Sequence, residues 1–211
     1  SAGIEAISPF LLLLGYVMSR RDNATWAGTG RALIGIALML VSLSLLGAAT
    51  QPLRAAPAMA GFIVLLDQAW PVAMLFATGL ALMCSSSLAA VLLVLSLDLP
   101  PGLAVVMVLG ANIGGAIPPV LATLQSKAAT RRLTVGNLAV RAGGALLALP
   151  FAGLAGQALM DMPYAGLAVM AHLGFNLLLA ALVWPLARPL TRSLRRLLPD
   201  QEQQGDDAPQ W

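Results

Sequence analysis

From Ala32 to Leu46 the chain carries no charged side chain, and the same is true of Phe10 to Val17 and Leu177 to Val183. Several of these apolar runs extend to about 20 residues, the length an α-helix needs to cross a hydrocarbon core about 30 Å thick. Of the 211 residues, 59% are hydrophobic and only 10% charged, whereas soluble domains carry roughly a quarter charged residues. Surface-to-volume scaling limits the apolar surface that one soluble core can hide, so lipid is the solvent that suits this chain. The sequence therefore reads as an all-α integral membrane protein. Its net charge of +3 and pI near 9.8 would suggest nucleic acid in a soluble protein. Here Lys and Arg gather in a few loops, as membrane topology demands, and no nucleic-acid partner is expected. Cys84 is the only cysteine, which excludes an internal disulfide and a Cys-rich metal site. The chain opens on Ser1 with neither an initiator methionine nor a basic leader, the pattern of a processed or truncated protein.

Apolar runs and their breaks predict about five transmembrane helices, near 4–19, 31–50, 103–124, 133–159 and 164–187. A short apolar stretch lies at 57–66. Two short arms, 70–83 and 88–97, flank Cys84-Ser85-Ser86-Ser87. The membrane domain is expected over 1–196, and the polar, acidic tail over 197–211 is expected to be disordered. Basic loops mark the cytoplasmic side: Arg20, Arg21 and Arg31; Lys127, Arg131 and Arg132; Arg188, Arg192, Arg195 and Arg196. Asp98 and Asp161 then lie outside, and Arg54 alone departs from the pattern. With 31–50 leading outward and 103–124 leading inward, everything between them begins and ends outside. At about 1.5 Å rise per residue the two arms are too short to cross, so they predict a re-entrant hairpin with its serine turn at mid-membrane depth. Irregular backbone at that depth is tolerated only within protein or beside a water-filled cavity.

Two constellations carry possible chemistry. Ser85, Ser86 and Ser87 offer hydroxyls and the amide end of a short helix, which suits an anion such as phosphate or a dehydrated cation; membrane serines also serve simply to pack helices and bond neighbouring backbone. The second is Gly110-Ala111-Asn112-Ile113-Gly114-Gly115-Ala116-Ile117-Pro118-Pro119. Three glycines and two prolines in ten residues oppose a continuous helix. The helix is expected to stop near Gly114 and restart near Pro118, with the new N-terminus aimed at the same anion. Such discontinuities form midplane sites in transporters, although a kink made for packing reads similarly. Ser85, Ser86, Ser87, Asn112, Gly114 and Gly115 are the candidate substrate residues, with Ser87 and Asn112 as candidate cation ligands. His172 and Asn176, four apart on one helix face, and Arg141 are further candidates. His172 reads equally well as a helix-packing residue, and Arg141 more readily as a side chain snorkelling to the interface.

These blocks, in this order, resemble the bacterial sodium/phosphate cotransporter family, relatives of the type II cotransporters. That family repeats a Gln-Ser-Ser-Ser hairpin followed by Gly-Ala-Asn-Ile-Gly-Thr-Thr. The resemblance runs through Ser85-Ser86-Ser87, Gly110 to Gly114, Gly136-Asn137, and Ala171-His172 with Phe175-Asn176, to about residue 196. It implies phosphate as substrate, sodium as coupling ion, no further cofactor, and a place in the bacterial inner membrane. It also implies an inverted pair of such units, of which this sequence shows one, so that the chain reads as a C-terminal half awaiting an N-terminal repeat. A homodimer of halves would need dual topology, which the charge bias disfavours. Cys84 stands where the family has Gln, and Gly115-Ala116 where it has Thr-Thr; those changes remove sodium-coordinating groups. Two other readings compete. One is an intramembrane serine protease using Ser86 and His172, which lacks the glycines that expose such a nucleophile; the other is a non-transporting membrane subunit. No enzymatic activity is expected.

The charge pattern makes a topological prediction. In a Cys84→Ser background, cysteine placed at Asp161 should be labelled by impermeant reagents from outside, and cysteine at Lys127 from the cytoplasm. Labelling of position 161 only from the cytoplasm overturns the assignment.

Overall fold

A computed structural model describes residues 2–161 and 164–200. Every regular element among them is helical. Four helical segments are long and apolar enough to cross a membrane: Ala24–Ala55, Pro101–Ala122, Ala128–Ala158 and Gly166–Leu197. The protein is an all-α membrane protein, as its apolar runs predict. The chain divides into two compact units, Ser1–Gly61 and Phe62–Trp211.

The first unit pairs α1 (Ala2–Ser19) with α2 (Ala24–Ala55). Asn23 caps α2 by accepting from the Thr25 and Trp26 amides, so the helix starts well before the expected position 31 and takes in Arg31. The two helices meet at glycines: a Cβ on Gly15 would stand 2.8 Å from the Gly30 carbonyl oxygen, and one on Gly30 would collide with the Ser19 amide.

The second unit is built around α6 (Pro101–Gly114). Pro101 occupies its first turn, where a missing N–H costs nothing. Every residue from Leu103 to Asn112 is buried, the mark of a helix enclosed by others on all sides. On one flank lies α4 (Trp70–Met83). Gly110 and Gly114 share the face that meets it, and a Cβ on either would run into the Met74 or Thr78 carbonyl oxygen. Two small residues four apart let helix backbones touch, which is how helices associate where lipid supplies no hydrophobic drive. Thr78 fastens the contact: its hydroxyl reaches Met74 O at 2.8 Å and, across the interface, Gly110 O at 3.1 Å. Ahead of α4, α3 (Pro57–Gln68) meets it at a bend of 115°, where Phe62 and Phe76 pack edge to face at 5.4 Å.

Between α4 and α5 (Ser87–Ser96) the three serines do different work. The Ser85 amide bonds Leu82 O at 3.0 Å and the Ser86 amide bonds Ala81 O at 3.1 Å, the paired bonds of a Schellman stop. Ser85 sits at φ 51°, the left-handed position that glycine usually fills. Ser86 then caps α5, its Oγ accepting from the Ala89 amide at 3.2 Å. At 14 and 10 residues, α4 and α5 are about 21 and 15 Å long, each shorter than the hydrocarbon core.

The predicted interruption of α6 is present but slight. Gly115 and Ala116 separate α6 from α7 (Ile117–Ala122), and Pro101–Ala122 still runs as a single candidate span. The expected second N-terminus supplies little. Pro118 and Pro119 have no N–H, and the Gly115 and Ala116 amides already bond Ala111 O and Ile113 O, each at 3.0 Å.

The remaining elements are α8 (Ala128–Ala148), a 3-10 turn at Leu149–Phe151, α9 (Ala152–Ala158) and α10 (Tyr164–Leu197). Pro150 sits in the 3-10 turn within the expected span 133–159, and Ala128–Ala158 still runs as one candidate span. Arg132 ties the end of α10 to α8, bonding Leu198 O at 2.7 Å and pairing with Asp200 at 2.8 Å. Of the expected tail, residues 201–211 lie outside the described residues.

Two stability predictions follow from this packing. Gly114→Val should lower the thermal unfolding midpoint in detergent, since overpacking costs about 1–3 kcal/mol. Gly79→Ala, where nothing lies within 4 Å, should not lower it; equal midpoints for both variants would contradict the backbone contact. At the serine turn, Ser85→Gly should stabilise by about 1 kcal/mol by relieving the left-handed serine, while Ser86→Ala should cost about 1 kcal/mol through loss of the cap. The reverse order of midpoints would refute the turn geometry.

Candidate functional site

Opposite the glycine face, α6 turns Asn112 toward α8 and α10. Its side chain is completely buried, and the bonds around it fix its orientation. The Asn176 amide nitrogen donates to His172 O at 2.7 Å, and a backbone carbonyl can only accept. That nitrogen also reaches Asn112 Oδ1 at 2.9 Å. The oxygen end of Asn112 therefore faces Asn176, and its Nδ2 donates to Val108 O at 2.9 Å. The same Nδ2 lies 3.1 Å from His172 Nδ1, so Nδ1 is the acceptor and the proton of a neutral ring sits on Nε2.

Arg141 completes the group. Its Nη1 lies 3.2 Å from Asn112 Oδ1 and 3.4 Å from Asn112 O, and its Nε lies 3.3 Å from Asn137 Oδ1. The snorkelling expected of this side chain does not occur; the guanidinium turns inward. This has a consequence for Asn112. Its amide oxygen, expected as a cation ligand, already accepts from Asn176 and from a positively charged group. Two donors use the two lone pairs of an amide oxygen, and the guanidinium repels a cation beside it.

α8 and α10 thus present matching pairs, Asn137 with Arg141 and His172 with Asn176, each four residues apart. Sequence reading singled out His172 and Asn176 by that spacing, and the same spacing joins Asn137 to Arg141. Asn137, which entered only through the resemblance, is the member that spacing alone could have found. Thr78 carried no such signal.

The serine turn approaches a neighbouring part of α6. A Cβ on Gly115 would stand 2.6 Å from Ser87 Cβ and 3.0 Å from Ser87 Oγ. Gly115 is three residues beyond Asn112, about one helical turn, so the Ser87 hydroxyl and the amide network flank adjoining stretches of the same helix. The structure gives the Ser87 hydroxyl no hydrogen bond among the described residues, and Ser85 is exposed. Gly114 faces the α4 backbone. Ser86 and His172, the protease pair weighed from sequence, are engaged elsewhere: Ser86 caps α5 and His172 faces Asn112, with no bond between them.

A cavity of about 920 Å³ also lies among α6, α8, α9 and α10, lined by residues such as Leu109, Gly143, Gly144, Leu147, Phe175 and Leu179. It has no charged lining residue and does not suit an ionic substrate. No group of His, Cys, Asp and Glu among the described residues is arranged to hold a metal ion.

Comparison with known proteins gives one kind of relative. No family model matches the chain, and no solved structure does. Over 202 residues it is 28% identical to the "Putative inorganic phosphate export protein YjbB" of Escherichia coli (strain K12), and 29% identical to the protein of the same name in Salmonella typhimurium. Each match takes in 92% of this chain. The chain spans 37% of the length of these curated relatives.

Proposed function

We propose that this chain is one unit of a transporter for inorganic phosphate in the bacterial inner membrane, coupled to sodium and acting without enzymatic chemistry. The observation that carries the reading is the seating of the serine turn against the glycine break of α6. It leaves the Ser87 hydroxyl beside Gly115 with no hydrogen bond among the described residues, in a protein of membrane-spanning helices whose relatives bear the name of a phosphate exporter. The short lengths of α4 and α5 support a re-entrant hairpin, and with it a turn at mid-membrane depth.

With Asn112 Oδ1 occupied, the coupling cation is assigned to the serine side: the Ser85 and Ser87 hydroxyls and neighbouring backbone carbonyls. The relatives' greater length leaves room for a second unit completing the pathway, which the family resemblance implies is inverted. The names of the relatives favour export over uptake. Non-transporting membrane subunits would share the helices but would support no phosphate flux.

The test is phosphate flux in proteoliposomes made from the full-length protein, in both directions and across a sodium series. Ser87→Ala should reduce flux at limiting phosphate or sodium by about tenfold to a hundredfold, the loss of a hydrogen bond to an ion being worth about 1.5–3 kcal/mol. Gly115→Ala, which drives a methyl group into Ser87, should do the same at unchanged expression. Wild-type flux in both variants would overturn the site, and absence of phosphate flux in the unmodified protein would overturn the function.

A further inference from the structure

Arg141 is a guanidinium within a membrane-spanning helix, and its partners are all neutral. Among the described residues the one ion pair is Arg132 with Asp200. The other described aspartates, Asp22, Asp67, Asp98 and Asp161, sit at helix ends or connections, and none of them pairs with Arg141. Intramembrane cations ordinarily face a carboxylate, a carbonyl cluster or a water-filled path. Here the acceptors are two side-chain amides and one carbonyl, at 3.2–3.4 Å, beyond the 2.7–2.9 Å of a good charge-assisted bond. The guanidinium has left the interface without gaining a counter-charge.

We propose that Arg141 is the fixed positive charge that holds the transported oxyanion, with the amide groups of Asn112, Asn137 and Asn176 around it. The inference rests on the transport reading above and adds to it the residue that neutralises the substrate. A tetrahedral oxyanion presents paired oxygens that match the guanidinium fork, a fit that a single-point cation such as Lys lacks. On entry the anion replaces the long bonds to Asn112 and Asn137 with short ones to charged oxygen. Asn112 Oδ1 is thereby released from the guanidinium. The fixed positive charge of the guanidinium disfavours a bare cation at this position and leaves it to the serine side.

The test measures equilibrium binding of radiolabelled inorganic phosphate to the purified full-length protein, with sulfate and chloride as competitors. Arg141→Gln should weaken phosphate binding by about tenfold to a hundredfold, and Arg141→Lys by less, since charge remains and the fork is lost. Should Arg141→Gln fail to fold, the unmodified protein still decides the matter. Phenylglyoxal modification of Arg141, followed by peptide mass mapping, should be slowed by phosphate and not by equal chloride. Wild-type phosphate affinity in a folded Arg141→Gln variant, or modification indifferent to saturating phosphate, overturns the inference while leaving the transport reading standing. Arg141-dependent binding of sulfate, with none of phosphate, keeps the anion site and overturns phosphate as the substrate. Absence of any anion binding to the unmodified protein overturns the inference outright.

Discussion

The backbone contact of α6 with α4 is the constraint on which the second unit rests. Within lipid, apolar side chains gain nothing by leaving the acyl chains for one another, so close packing and interhelical hydrogen bonds must hold helices together. At Gly110 and Gly114 a Cβ would run into the backbone of α4, so its absence lets the two helices touch, and Thr78 bonds across the gap. Once that face is committed to α4, geometry settles the rest of α6. Gly115 comes against Ser87, and Asn112 is directed to the other side, where α8 and α10 converge. The glycines of the Gly-Ala-Asn-Ile-Gly block thus act first as packing residues, and the site is arranged around the contact they permit.

The polar group built on Asn112 is costly to place in such a setting. Burying an unpaired amide is unfavourable, and a charged side chain at the bilayer centre costs about 2.5–3.5 kcal/mol on insertion scales. Hydrogen bonding offsets the first cost: among the described residues no buried side-chain nitrogen or oxygen lacks a partner. The second is offset only in part, because the Arg141 guanidinium meets dipoles and no opposite charge among the described residues. A network that is complete in neutral bonds and incomplete in charge has a definite electrostatic preference. In the transport reading it also leaves the cation to the serine side, where the sequence offers Ser87 and Asn112 alike as cation ligands.

The serine triplet shows why residue identity was a coarse guide to the site. From sequence all three hydroxyls are candidate substrate ligands, and Ser87 is a candidate for the cation as well. In the structure Ser85 takes the left-handed position that ends α4, Ser86 caps α5 through its hydroxyl, and Ser87 brings its hydroxyl beside Gly115 with no hydrogen bond among the described residues. Ser85 ends a helix through backbone amides and a left-handed conformation, whereas Ser86 starts one through its hydroxyl, so the assignment depends on backbone conformation. Arg141 was misread for a related reason. A long basic side chain two turns from a helix end has room to reach the interface, and its inward course is fixed by Asn112 and Asn137 on neighbouring turns and helices.

The sequence by itself determined the class and most of the elements. Charge-free runs long enough to span a bilayer, the brevity of the arms at 70–83 and 88–97, and the concentration of Gly and Pro at 110–119 are all local properties, written in consecutive residues. Their outcomes, α4, α5 and the α6–α7 interruption, lie within a few residues of expectation. Boundaries set by caps moved further, as at Asn23, which extends α2. Tertiary structure alone decided which side chains meet. Asn112, Arg141 and Asn176 are 29 and 64 residues apart along the chain, and no periodicity within one helix specifies the rotation of another against it. That rotation is set where two backbones come close enough to touch, at Gly110 and Gly114, and the site is what the remaining faces of α6 then present to their neighbours.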